Sequence, residues 1–279
     1  MNLSDINTVR SLLAKNGFTF KKSLGQNFLT DPEVCPACDE NTGVLEIGPG
    51  FGVLTAELSK AAKRVVAIEL DERLKKVLPE TLADCKNVEV IYGDALKLDL
   101  KALIKEHFAD CERVAVCANL PYYITSPVIM TLLESRLPID TVTVMVQKEA
   151  AERLCAEVGT REAGAVSVAV SYYSKPEILF GVDKESFMPP PKVDSAVIKL
   201  KILEKPPVKV NDERAFFRLV KCCFAQRRKT LVNTVSNTAG IEKERIRNAL
   251  NTLGISETAR SEQLTLAELA KLSNLLGGR

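Results

Sequence analysis

Between residues 44 and 146, five short apolar runs alternate with longer amphipathic stretches: Val44-Leu45-Glu46-Ile47, Val65-Val66-Ala67-Ile68, Val88-Glu89-Val90-Ile91, Val114-Ala115-Val116-Cys117-Ala118 and Val142-Thr143-Val144-Met145-Val146. Runs this short and this rich in β-branched residues predict strands, and their nearly unbroken apolar character predicts strands covered on both faces. Five of them separated by helical segments predict a parallel, doubly wound α/β sheet. Residues 193–202 alternate apolar and polar side chains after the turn Met188-Pro189-Pro190-Pro191, which predicts an edge or hairpin strand.

The flanks read differently. Residues 5–16 predict a short helix stopped by Gly17, followed by a loop over 18–29 rich in lysine and phenylalanine that is long enough to close over a ligand. Beyond Pro206-Pro207 the strand pattern ends and the tail predicts helices. Asp212 caps a segment carrying Phe216, Phe217, Leu219, Val220, Cys223 and Phe224; Glu242 to Leu253 is closed by Gly254; and Thr265-x-x-Glu268 is a capping box opening a last helix. The expected organisation is one large domain over 1–205 and a small helical domain over 206–279.

Composition narrows the class. With 46% hydrophobic and 27% charged residues, the 279-residue chain can bury a sizeable core. No stretch approaches the roughly 18 apolar residues of a membrane span. The start, Met1-Asn2-Leu3-Ser4-Asp5-Ile6, lacks the charged-then-apolar layout of a signal peptide, so a cytoplasmic protein that does not enter a membrane is expected. Its eight cysteines then predict reduced thiols rather than a disulfide framework. Cys35-x-x-Cys38 lacks a second ligand pair, since His107 is the only histidine and Cys222 and Cys223 are adjacent, so no metal site is expected. The net charge of +2 is unevenly spread: four basic and one acidic residue in 1–28 give +3, 21 and 28 in 29–205 give −7, and 13 and 7 in 206–279 give +6. Basic ends around an acidic middle suit a protein that holds a polyanion with its ends and works on it in the middle.

Candidate chemistry collects at the ends of the predicted strands. The first runs into Gly48-Pro49-Gly50-Phe51-Gly52, a turn in which glycines let the backbone approach a ligand, although Gly-x-Gly-x-Gly is not the usual dinucleotide spacing. Glu69 ends the second strand 21 positions after Gly48, where a ribose-binding carboxylate belongs. Asp94 follows the third, where it can accept from an adenine amino group. The fourth ends in Asn119-Leu120-Pro121-Tyr122, which joins an amide, backbone carbonyls and an aromatic face able to grip and stack a nucleobase amine. Singly, each is equally a strand-ending turn or a solvated acid. Four successive strand ends carrying them form a series.

These motifs make the chain resemble the ribosomal RNA adenine N6,N6-dimethyltransferase family, in particular its bacterial small-subunit members. The likeness covers essentially the whole chain: Lys22-Ser23-Leu24-Gly25-Gln26-Asn27-Phe28-Leu29, Glu46 to Gly50, Asn119 to Tyr123, Gln147-Lys148-Glu149, Phe187 to Ser195 and Phe224-Ala225-Gln226-Arg227-Arg228-Lys229 all match family motifs. The resemblance implies a Rossmann-like sheet using S-adenosylmethionine, with Asn27, Leu29, Gly48, Glu69, Asp94 and Asn119 at the cofactor-binding positions. It implies catalysis by Asn119, Leu120, Pro121 and Tyr122, with Phe187 as a second aromatic clamp. The implied substrate is two adjacent adenines in a hairpin loop near the 3′ end of small-subunit rRNA, methylated by a monomer within a pre-assembled particle. Arg227, Arg228, Lys229, Lys21 and Lys22 are candidate phosphate contacts. One departure stands out: only 14 residues, Pro32 and Pro36 among them, separate Leu29 from Val44, where the family has room for a full helix. A large-subunit rRNA adenine methylase conferring macrolide resistance shares the glycine turn and a similar tetrapeptide, and an RNA-binding assembly factor without turnover is a further alternative. A nucleotide-dependent oxidoreductase is disfavoured by the glycine spacing.

Overall fold

The computed structural model describes residues 8, 15, 28–29, 38–119, 122–188 and 191–277, with 28, 29 and 188 described by backbone alone. Of the helix expected over 5–16, Thr8 and Lys15 are among these and both are helical. The chain forms two compact units, Met1–Ala151 with Glu177–Ile202, and Glu152–Pro176 with Leu203–Arg279.

The five apolar runs are strands: β2 (Thr42–Ile47), β3 (Arg64–Glu69), β4 (Val88–Tyr92), β5 (Arg113–Asn119) and β6 (Thr141–Gln147). All pair in parallel, β4 with β3, β3 with β2, β2 with β5 and β5 with β6, so β2 lies between two neighbours and every carboxyl end faces one way. Helix α1 (Val53–Ala61) follows β2 and covers one sheet face, where Leu58 and Ala62 pack on Val44, Val65 and Cys117. Phe51, in the turn before α1, is buried against Leu74, Val77, Leu78 and Leu82, the last two within and just after α2 (Leu78–Thr81). Gly52 has φ +85°, a conformation that favours glycine, and a β-carbon there would meet Leu82 Cδ2 at 2.8 Å and push that side chain aside. Helices α3 (Leu100–His107), α4 (Thr125–Glu134) and α5 (Lys148–Leu154) complete the alternation.

The strand expected over 193–202 as an edge or hairpin strand lies one place in from the sheet edge. β9 (Ser195–Ile202) runs antiparallel to β6 and has β7 (Ser174–Val182) on its far side, giving the order β4-β3-β2-β5-β6-β9-β7. The alternating pattern reports unequal cover on the two faces, which a strand one place in from the edge shares with the edge itself. β7 carries Pro176, Glu177 and Gly181 and is exposed along most of its length, as an outermost strand tolerates. A separate two-stranded ladder pairs β1 (Phe28–Leu29) antiparallel to β8 (Phe187–Met188), with Leu29 opposite Phe187.

In the second unit, α6 (Ala165–Tyr173) joins α7 (Glu213–Cys223), α8 (Leu231–Ala239), α9 (Lys243–Thr252) and α10 (Leu266–Gly277). The caps read from the sequence are present: Asp212 accepts from Ala215 N at 3.0 Å, and Thr265 and Glu268 bond reciprocally at 2.8 and 3.3 Å. Tyr172 and Tyr173 pack edge-on at 5.0 Å, lie against Phe216 and Phe217, and donate their hydroxyls to Glu213 at 3.1 and 2.7 Å.

Candidate active site at the carboxyl ends of the strands

The turn after β2 is shaped by backbone geometry and held by a buried acid. Gly48 takes φ +76° and donates its N–H to Ile68 O at 2.9 Å, turning the chain across the end of β3. A β-carbon at Gly48 would lie 4.0 Å from Asn119 O, so the turn passes close to the end of β5. Glu69, 7% exposed at the end of β3, accepts from Gly50 N at 3.2 Å and from Asp71 N at 2.6 Å, one bond to each carboxylate oxygen. Each oxygen keeps a further lone pair for a ligand hydroxyl. Burial raises the Glu69 pKa and the nearby Asp71 charge adds to this, while the backbone donors of Asp71, Gly50 and Leu70 offset part of it.

Glu46 is the residue whose role the sequence reading missed. It lies 1% exposed within β2, and its Oε2 has no hydrogen-bond partner among the described residues; the same is true of the buried Thr55 Oγ1. Burial pushes the Glu46 pKa up to about 8, against a partial lowering by the neighbouring Thr55 hydroxyl and with a further rise from the charge of Glu69. Its carboxyl is therefore protonated at neutral pH. An acid inside an otherwise apolar strand run was the available signal.

Asp94 follows β4, half-buried, with Oδ1 accepting from Leu96 N at 3.0 Å and Oδ2 paired with Lys97 at 3.2 Å. Two large apolar side chains that the sequence reading also passed over, Leu70 and Leu96, are exposed immediately beyond Glu69 and two positions beyond Asp94. Solvent-exposed leucines beside strand-end carboxylates suit a flat, partly apolar ligand such as a purine. Asn119 ends β5 opposite Met145. Tyr122 is half-buried, and its hydroxyl shares a 3.0 Å hydrogen bond with Ser195 Oγ. Burial, and secondarily the charge of Asp194, raises the Tyr122 pKa against a lowering by the Ser195 bond, so the phenol stays neutral. Tyr123 beside it is 58% exposed.

The structure thus gathers Gly48, Glu69, Asp94, Asn119 and Tyr122 at the carboxyl ends of β2 to β5. Phe187 lies near the same end, packed with Met145, Val182 and Val197, but its ring is 4% exposed, so contact with a base requires it to leave that cluster. Leu29 pairs with Phe187 through the backbone ladder. Asn27, Leu120 and Pro121 lie outside the described residues, as do Lys21, Lys22 and Cys35. Among the described residues no group of three or more His, Cys, Asp or Glu side chains is placed to hold a metal ion. In the second unit Arg227 is committed to structure, donating to the Arg161 carbonyl at 2.6 Å, whereas Arg228 and Lys229 are exposed.

The family model for ribosomal RNA adenine dimethylase matches residues 17–277. The chain belongs to that family. Ribosomal RNA adenine dimethylase relatives include Ribosomal RNA small subunit methyltransferase A of Geobacillus thermodenitrificans (strain NG80-2), 49% identical over 276 residues covering 96% of this chain and 94% of that protein. The protein of the same name from Staphylococcus aureus (strain bovine RF122 / ET3-1) is 47% identical over 273 residues, 95% of this chain and 92% of its own length. Among solved structures, a dimethyladenosine transferase from Plasmodium falciparum superposes with a TM-score of 0.67 at 25% identity over 98% of this chain and 96% of that one. The 23S rRNA methyltransferase ErmE gives 0.65 at 26% identity over 93% and 99%. Both structures share this chain's fold, and the small-subunit proteins are nearly twice as similar to it in sequence as the 23S enzyme.

Proposed function

We propose that this chain transfers methyl groups from S-adenosylmethionine to the N6 amines of two adjacent adenines in the 3′-terminal hairpin loop of small-subunit rRNA. The observation that carries the reading is Asn119 at the end of β5, close to the Gly48 turn on one side and three residues from the Tyr122 ring on the other. Relatives at 47–49% identity named as small-subunit methyltransferases favour this substrate over large-subunit rRNA.

The residues present fit the donor. The ribose hydroxyls would donate to the free lone pairs of Glu69, the adenine amine to Asp94, and the adenine faces would rest on Leu70 and Leu96. The carboxylates of Glu69 and Asp94 at this end favour a ligand bearing positive charge. When bound, S-adenosylmethionine supplies an activated methyl group on a sulfonium. Adenine N6 is a weak nucleophile because its lone pair is delocalised into the ring. Asn119 and a backbone carbonyl of Leu120 or Pro121 accept its two hydrogens, favouring a pyramidal nitrogen aimed at the methyl carbon. Tyr122 stacks on the extruded base, worth roughly 1–3 kcal/mol against an unstacking cost of a few kcal/mol. The methylated nitrogen would shed its extra proton to solvent as the thioether product leaves, so the chain needs positioning more than an acid or base. Residues 206–279 serve as the RNA-holding helical domain, with Arg228 and Lys229 on phosphates, and the protein works as a cytoplasmic monomer on a pre-assembled particle. No helix among the described residues is long and apolar enough to cross a membrane.

Labelled S-adenosylmethionine and under-methylated small subunits provide the test. Dimethyladenine on small-subunit RNA is the expected product; label on large-subunit RNA alone, or none with cofactor bound, would sink the proposal. Asn119→Ala should lower transfer by at least about a hundredfold while particle binding survives.

A further inference from the structure

In the dipeptide Asp194-Ser195 one side chain holds the Tyr122 hydroxyl and the other holds the backbone of the turn that leads into Phe187. Ser195 is fully buried, pairs with Gln147 in the last register position of β6 and β9, and has the Tyr122 hydroxyl as the partner of its own hydroxyl at 3.0 Å. The ladder continues one step further, where Lys148 N donates to Asp194 O at 3.0 Å, so the backbone of the dipeptide is fixed on both sides of the peptide bond. Asp194 Oδ1 accepts from Lys184 N at 3.3 Å, in the short 184–186 turn that leads into Phe187. Asp183 closes that turn, accepting from Glu185 N at 2.8 Å through its side chain and from Ser186 N at 3.0 Å through its carbonyl.

We propose that Ser195 is a positioning residue for Tyr122, with Asp194 setting the distance from that ring to the Phe187 turn. A phenol ring tied to the backbone at Cβ and to a buried, immobile hydroxyl at its far end cannot swing about χ1. Its face is then presented to a base without an ordering cost at the moment of binding. Ser195 is fully buried, so its end of the tie is shielded from solvent. The inference rests on the methyl-transfer reading for its consequence in turnover, but the tie itself exists without RNA.

The test labels the protein with 3-fluorotyrosine and follows the Tyr122 fluorine resonance in Ser195→Ala, alongside methyl transfer in Ser195→Ala, Tyr122→Phe and the double variant. Removing the tie should shift and broaden the resonance and lower kcat roughly five- to tenfold, the size of one lost hydrogen bond, with the cofactor dissociation constant unchanged. Tyr122→Phe should match Ser195→Ala, and the double variant should be no slower than either. Asp194→Asn should alter KM for the particle more than kcat. An unchanged resonance in Ser195→Ala overturns the proposal whatever the activity, and a double variant slowed by the product of the two single effects overturns it too. Absence of transfer by the parent protein instead refutes the methyl-transfer reading, because the fluorine signal still decides the ring tie.

Discussion

Replacing Glu46 by Gln should make the protein more stable, and increasingly so as pH rises. The folded state raises this pKa from its ordinary 4.5 to about 8, so folding favours the protonated acid. For a group shifted upward, the associated stability is complete below the unfolded pKa and is lost as pH climbs through the folded one. At about 1.4 kcal/mol per pH unit, the loss between pH 4.5 and 8 is on the order of 5 kcal/mol. Between pH 6 and pH 8 alone it is about 2 kcal/mol, a large part of a typical folding free energy. Gln has nearly the same shape and carries no charge at any pH, so the variant should escape this loss. Urea unfolding followed by circular dichroism at pH 6, 7, 8 and 9 measures the difference directly. The gap between variant and parent should widen by about 2 kcal/mol from pH 6 to pH 8 and level off above pH 8. Stability curves that stay parallel over this range would refute the assignment of a neutral, buried Glu46.

Glu69→Ala removes the acceptor of the Gly50 and Asp71 amides together with a proposed ribose contact, and isothermal titration should show cofactor affinity falling about a hundredfold, as losing one or two charged hydrogen bonds implies. Phe187→Ala empties a packed position beside Met145, Val182 and Val197 and should cost about 3–5 kcal/mol of unfolding free energy. Phe187→Leu should keep most of that stability; if it also keeps full methyl transfer, the ring contributes packing and does not touch the base.

The parallel core was legible because strands buried on both faces must be apolar throughout, and β2 to β6 each extend the sequence-defined run by only one or two residues. The outermost strand was not, since Pro176, Glu177 and Gly181 break its pattern and nothing needs to cover its exposed side chains. Helix α6 was hidden for the opposite reason: Ala-Val-Ser-Val-Ala-Val has the β-branched alternation of a strand, and its position in the helical unit overrides that propensity. At the site, Glu69, Asp94 and Asn119 could be found because polar groups ending apolar runs are conspicuous. The protonation of Glu46 depends on how completely α1 and the neighbouring strands exclude water, which no local pattern encodes. Likewise the Tyr122–Ser195 tie spans 73 positions and exists only because β9 returns beside β6.

The two-residue ladder between Phe28–Leu29 and Phe187–Met188 bears on the order of events in a double methylation. Each nitrogen receives two methyl groups in the proposed reaction, so the spent donor must leave and a fresh one arrive in between. In the proposed reaction Leu29 on the donor side and Phe187 on the acceptor side are opposite rungs of this one ladder, and the Phe187 ring packs against Met145, Val182 and Val197. Exchange of the spent donor therefore bears directly on the segment that carries Phe187.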